Sequence, residues 1–473
     1  MDPILYWNDV ALEAERLTHT TGAAEEIEVQ GPAASSRALA ITHLAMHDAY
    51  FGIKGGYEPY LGPGLHRPPV TADVNAAVAA AAHTTLSQLF PKQRAVFDAR
   101  DAALGLSASK ATDNGYAFGR LVGQQLLALR ANDPSVGAGN YFINPMPPHH
   151  RPDPQNPGQG VYAPYYGARS KPFACTARHH TGAPPLPGDA EYERALRQVR
   201  SKGIRQDLIG TLPADLLPSR TAEETAIGLF WAYDGAPQEG TPTRFYNQIV
   251  RRIAMDRNND VAKNARLFAL VNAALADAGI FAWADKYSYD LWRPVVGIRE
   301  AALVSKAADA VDAFLGSNGQ VDWLPMGAPN TNNVGKNDRT PPFPSYPSGH
   351  ATFGGAVFQT VRHFYGQALA GPDTLTQGME FVSQELDGVS VDSTGTVRPR
   401  VVRHFPGGLW QMMAENGLSR VYLGVHWFFD AFALDEAGQP DLTKNIGGVP
   451  LGIAVANDIA AHGLKASAAA GLP

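Results

Sequence analysis

Cysteine is nearly absent from this 473-residue chain: Cys175 stands alone, so no intrachain disulfide can form. That fits a reducing compartment without demanding one. A basic excess is missing as well. The net charge is -6, the wrong sign for a chain built to bind nucleic acid. No uninterrupted run approaches the roughly 18 apolar residues of a bilayer span. The opening MDPILYWNDVALEAERLTHT lacks the basic and apolar regions of a secretory signal. A soluble protein with neither nucleic-acid nor membrane partner is expected, cytoplasmic or exported by another route. Alternating strand patterns are scarce too, which argues against a sheet-based fold.

What the chain has is helical periodicity. It is 45% hydrophobic, enough for a large core. Apolar residues recur at helical spacing over 37–51, 73–89, 91–104, 109–130, 221–233, 244–256, 262–292, 349–364 and 409–422. Thr221 and Glu224 have the spacing of a capping box. Residues 141–174 hold eight prolines, among them Pro145, Pro147, Pro148 and Pro152, and are expected to run extended between helical halves. Residues 316–348 form a second irregular stretch. The expected units are an N-terminal helical half (1–140), a Pro-rich irregular connection (141–220) and a C-terminal helical half (221–473).

Three short elements carry chemistry. Lys286 and Arg293 are seven residues apart, nearly two helical turns, which predicts two cations on one face of a helix ended by Pro294. Taken alone, they also fit a solvated surface pair. Next, Phe343-Pro-Ser-Tyr-Pro-Ser-Gly-His350 runs into an apolar helical pattern. Ser348 and Gly349 are therefore placed at a helix N-terminus, where free N–H groups and the dipole favour an anion. An ordinary serine cap beside a histidine has the same appearance. Third, Ser419-Arg420 precedes His426 and Asp430, whose four-residue spacing lets the carboxylate orient the imidazole. Arg420 and His426 would diverge on a straight helix, so a bend near Gly424 is expected. Together, three cations, a helix N-terminus and two histidines suit one tetrahedral or trigonal-bipyramidal oxyanion.

In this order these elements resemble the signature shared by vanadium haloperoxidases and type 2 acid phosphatases. The likeness extends beyond them. Ile4-Leu-Tyr-Trp-Asn8, Leu44-Ala-Met-His-Asp-Ala-Tyr50, Tyr233-Asp234-Gly235 and Gly447-Gly-Val-Pro-Leu-Gly452 are similar to the fungal vanadium chloroperoxidases. The resemblance implies an all-α fold of two four-helix bundles packed together with long irregular connections. It implies vanadate as cofactor, with His426 as the metal-bonding histidine. Lys286, Arg293, Ser348, Gly349 and Arg420 would hold the oxyanion, and His350 would be the acid–base group facing it. Asp234 would pair with Arg420, and Asp430 would orient His426. Phe343 and Trp283 would stand near the halide, Phe343 matching chloroperoxidases where many bromoperoxidases have histidine. Hydrogen peroxide, chloride and bromide are the implied substrates, hypohalous acid the product, and small organic compounds its acceptors.

Other readings stay open. Phosphate fits the same pocket as vanadate. A phosphatase would use His426 as nucleophile through a phosphohistidine, with His350 protonating the leaving group. A bromide-only peroxidase and an oxyanion binder without turnover are also compatible with the motif, and so is a homo-oligomer. Residues 385–403 lengthen the gap before Ser419 and read as an insertion at the site's rim. His43 and His47 lack the glutamate of a metalloprotease pair and read as buried structural residues. His149, His150, His179 and His180 lie in polar, Pro-rich surroundings and read as surface residues. Cys175 has no visible activating partner.

Overall fold

The computed structural model describes residues 1–20, 22, 28–66, 68–104, 113–137, 139–211, 218–301 and 322–464. Its helices are α1 (Pro3–Thr18), α2 (Gly31–Lys54), α3 (Val74–Leu89), α4 (Arg94–Ala103), α5 (Asn114–Leu129), α6 (Tyr166–Arg169) and α7 (Ala190–Lys202). They continue with α8 (Ala222–Phe230), α9 (Pro242–Asp256), α10 (Val261–Tyr289), α11 (Pro294–Arg299), α12 (Gly349–Phe364), α13 (Gly408–Tyr422) and α14 (Gly448–His462). Strand among the described residues is limited to one antiparallel pair, Ala433–Leu434 with Pro440–Asp441. The fold is all-α, as the periodicity and the resemblance implied.

The helix starts follow local chemistry. Asp2 accepts from Ile4 N at 2.8 Å and Leu5 N at 3.0 Å, and Asp73, Asp113 and Asp260 cap α3, α5 and α10 in the same way. Thr221 and Glu224 form the reciprocal capping box, at 3.1 and 2.7 Å. α3 is alanine-rich and buried, and α5 packs against it so closely that a Cβ on Gly119 would fall 1.9 Å from the Ala77 carbonyl.

α10 organises the rest. α2 packs on it, followed by α3 and α5, while α12 and α14 pack on it from the other half, with α13 beyond α12. One apolar cluster accordingly runs from Ile4 and Trp7 through Phe268 and Ile280 to Val455 and Ile459. A second cluster gathers Tyr192, Val295, Val421 and Trp427 beneath α7 and α11. By length and composition alone α10 is long and apolar enough to cross a membrane, although Asn272 and Asp277 interrupt its apolar run. Its most apolar window has mean hydropathy 1.7, but 89% of that window is buried inside the protein. Its uniform apolarity belongs to a helix packed on all sides.

The expected irregular connection, 141–220, contains the 13-residue helix α7; its first part, 141–189, is irregular apart from the single turn of α6, and it is pinned to α10. Fully buried Asp277 accepts from Phe173 N, Ala174 N (2.9 Å) and Cys175 N (2.8 Å).

Candidate functional site

α10 delivers Trp283 and Lys286 in its last two turns and stops at Tyr289, where Asp290 takes a left-handed conformation (φ 53°) and its N–H returns to the Lys286 carbonyl at 2.8 Å. The chain then runs extended, paired with the Pro-rich connection through Trp292 N to Pro148 O at 2.8 Å. Arg293 therefore lies beyond the helix (φ -83°, ψ 157°) and opens α11. This corrects the expectation that Lys286 and Arg293 share one helical face and that Pro294 ends the helix. The left-handed cap at Asp290 stops it earlier, and convergence is achieved across a chain reversal.

Ser348 is the N-cap of α12 as expected, with Gly349 and His350 in its first turn. The first-turn N–H groups of such a helix have no carbonyl partner within it. The Ser348 N–H itself reaches the Asp430 carbonyl at 2.8 Å, tying this terminus to the third element.

Arg420 sits in the last turn of α13, which ends at Tyr422. The bend expected near Gly424 is present, with φ 72°. A Cβ there would lie 2.3 Å from the Gly203 carbonyl, so this position is closed to larger residues as well as left-handed. Gly424→Ala is expected to destabilise the fold by about 1–3 kcal/mol and to weaken anion binding, read by denaturant titration and orthovanadate titration. His426 and Asp430 do not share an α-helical turn. His426 precedes a short 3-10 turn, Phe428–Asp430, whose last residue is Asp430, and the turn closes their side chains to 2.7 Å.

The imidazole's tautomer is set by its partners. Arg293 Nη1 donates to His426 Nε2 at 2.8 Å, so Nε2 carries the lone pair and Nδ1–H is held by Asp430 Oδ2. Asp430 also accepts from Trp427 N at 3.0 Å and from the Ser345 hydroxyl, a partner that sequence reasoning missed. Burial pushes Asp430 up to about 7 and, with Arg293 and Lys286 nearby, pushes His426 well down.

Lys286, Arg293 and Arg420 are fully buried. Burial, then Arg293, lowers the Lys286 ammonium, which donates to the carbonyls of Pro344 (3.0 Å), Ser345 (2.8 Å) and Pro347. All three of its N–H groups are thus engaged, and it acts here as a charge. Burial lowers Arg293 to about 9; besides His426 it donates to Phe343 O (2.9 Å) and Val425 O (2.8 Å). Arg420 Nη2 meets both Asp234 oxygens at 2.8 Å, so the structure brings these two together. Arg293 Nη2 and Arg420 Nε and Nη1 are buried with no hydrogen-bond partner among the described residues. Three cations meet two carboxylates here, one of them with depressed acidity. That imbalance, with three unpaired N–H groups, fits an oxyanion.

His350 lines the adjoining cavity and donates from Nε2 to the Ala232 carbonyl at 2.6 Å, which leaves the lone pair of the neutral ring on Nδ1. Burial, then Arg420, pushes it down to about 3. Trp283 and Phe343 form an aromatic wall, centroids 5.0 Å apart, with the Arg293 guanidinium 4.9 Å from the Phe343 centroid. Trp283 Nε1 is buried without a partner among the described residues.

His43 and His47 are buried, as expected. His150 is not a surface residue: it is buried behind the cluster, where burial and then Arg293 push it down to about 3. The main-chain bond from His150 N to Asp290 O (2.8 Å) draws it inward. Cys175 is buried and its thiol is pushed up by burial. Residues 385–403 are not confined to the rim. Buried Glu385 pairs with Arg398 at 2.6 Å and accepts from Tyr233 N at 3.3 Å, directly behind Asp234.

Fold and site together define a helical protein with a buried, cation-lined pocket of a chemistry that suits an oxyanion, with a carboxylate-bonded imidazole and a second histidine in its lining. Comparison with known proteins gives the family. Residues 1–164 match the vanadium chloroperoxidase N-terminal domain, and 266–446 match the VCPO second helical-bundle domain. The vanadium chloroperoxidase of Curvularia inaequalis is 36% identical, covering 98% of this chain and 90% of the relative. The chain belongs to the vanadium chloroperoxidase family. A bacterial vanadium-dependent iodoperoxidase shares the fold at TM-score 0.68 and 18% identity, covering 96% of this chain and 95% of that one. A holo-type bacterial vanadium-dependent chloroperoxidase shares it at TM-score 0.61 and 17% identity, covering 92% and 94%.

Proposed function

We propose that this chain binds vanadate and uses hydrogen peroxide to oxidise chloride or bromide to hypohalous acid. The observation that carries this reading is the His426–Asp430 pair. A lone-pair nitrogen is fixed by a carboxylate and aimed at a cation cluster whose arginines keep unpaired buried N–H groups. Bound vanadate supplies Lewis acidity that activates peroxide toward halide.

The chain's own residues do the rest. His426 Nε2 is the metal-bonding atom, held in that tautomer by Asp430. Arg293, Arg420, Ser348 and the N–H groups opening α12 take the oxyanion's charge, supported by Lys286. Asp234 fixes the Arg420 fork. His350, neutral above about pH 3, accepts the peroxide proton at Nδ1. The free Trp283 indole N–H and the Phe343 ring supply a halide position beside it.

The test is halogenation of a 1,3-diketone or phenolic dye with chloride and bromide, with and without orthovanadate. Vanadate-dependent turnover of both halides is expected. Phosphate-ester hydrolysis inhibited by vanadate, without halogenation, would establish the phosphatase instead.

Phe343→His tests halide choice. It puts a hydrogen-bonding, ionisable ring where Arg293 and Lys286 now face an apolar one, 4.9 and 5.2 Å from its centroid. The ratio of kcat/KM for chloride over bromide is expected to fall roughly tenfold or more. An unchanged ratio would remove Phe343 from the halide argument.

A further inference from the structure

The cavity above His350 and His426 has a volume of about 380 Å³. A water molecule takes about 30 Å³, so peroxide and a halide ion need only a small part of that space. The volume instead falls among pockets for small organic molecules, roughly 300–1,000 Å³. Its walls differ in chemistry. Next to the site stand Tyr162, Trp283 and Phe343, with Tyr162 5.8 Å from Trp283 and 6.0 Å from Phe343, centroid to centroid. The same lining holds the polar side chains Arg339, Asn330 and Asn333. Arg339 is half-buried, spends one N–H on the Asp234 main-chain carbonyl at 3.0 Å, and has no carboxylate partner among the described residues.

We infer that this cavity binds the organic acceptor itself, an aromatic carboxylic acid with an electron-rich ring. The ring packs on Tyr162 and Phe343, and the carboxylate meets Arg339. The inference rests on the haloperoxidase reading of the same site and adds a substrate class to it. Halogenation then takes place within the cavity. The O–X bond of hypohalous acid breaks, a ring C–X bond forms, and the displaced ring proton joins the leaving hydroxide as water. Aromatic walls hold the ring by stacking, and the fork geometry of Arg339 selects a carboxylate.

The probe is 3-hydroxybenzoate, which offers several ring positions. Calorimetric titration into vanadate-loaded enzyme is expected to give one site, weakened about tenfold or more by Arg339→Ala. Asn333→Asp, which adds a negative charge to the same lining and leaves Arg339 in place, is expected to weaken it in the same direction. Under turnover with bromide, the regioisomer ratio is expected to differ from that of reagent hypobromous acid. In Arg339→Ala it should move toward the reagent ratio, with bromination of a neutral 1,3-diketone held within about twofold. Absence of saturable 3-hydroxybenzoate binding, or a wild-type ratio equal to the reagent's, overturns the inference. Failure to brominate even the diketone counts against the haloperoxidase reading, while the binding titration still decides the acceptor site.

Discussion

His426→Ala is expected to reduce vanadate-dependent halogenation to the level of a reaction without enzyme, while the protein remains folded. Its Nε2 is the imidazole lone pair that the structure points at Arg293, and it exists because Asp430 holds the proton on Nδ1. Alanine removes the proposed metal-bonding atom and leaves the surrounding charges in place. Arg293 keeps its carbonyl partners Phe343 and Val425, and Asp430 keeps Trp427 N and the Ser345 hydroxyl. The shell therefore survives, and some oxyanion affinity survives with it. Asp430→Asn separates orientation from ligation. An amide is a poorer partner for Nδ1–H, and orthovanadate affinity is expected to fall about 10–100-fold, with turnover recovering as vanadate is raised. The measurement is bromination rate across an orthovanadate titration for wild type and both variants, with thermal unfolding as the control for folding. Full activity in His426→Ala would mean that another residue bonds the metal.

Much of this pocket was legible in the sequence because its parts rest on local rules. Ser348 and Gly349 open a helix where four prolines stop and apolar periodicity begins, and α12 has the bounds that pattern predicts. The bend at Gly424 was required to bring Arg420 and His426 to one side. The misses are tertiary. Arg293 leaves the helix because Asp290 adopts a left-handed cap and the Pro-rich connection pairs with the segment after it, neither of which leaves a periodic trace. His150 reads as a surface residue from its proline-rich neighbours, yet the same pairing draws it inward. α1, α7 and α14 went unrecognised as helices: α7 has many charges, and α14 begins at Gly448 and contains Pro450. Ser345 lay inside the second motif but had no assigned role, because its partner Asp430 is 85 residues away.

Asp277→Ala is expected to be the most destabilising single change outside the pocket. The carboxylate is fully buried in the middle of α10 and gathers three successive N–H groups from Phe173, Ala174 and Cys175. No helix or strand supplies those donors with another acceptor, because this part of the connection is irregular. Alanine strands all three in a dry interior, at about 1–3 kcal/mol for each unsatisfied group. Losing the buried charge that its burial had cost offsets part of that sum, and a net loss of about 4 kcal/mol is expected. Asp277→Asn keeps one acceptor oxygen but turns an NH2 toward the donors, so it should rescue only a fraction. The consequence reaches the pocket, because Trp283 and Lys286 lie within the next nine residues of the same helix, and Tyr162, which contacts Trp283, lies on the connection that Asp277 anchors. Guanidinium unfolding of the three proteins measures the stability term. Acceptor and halide KM measured well below the unfolding midpoint measure the second effect. A loss under about 1 kcal/mol would show that the connection is held by its other contacts, and the anchoring role of Asp277 would fall.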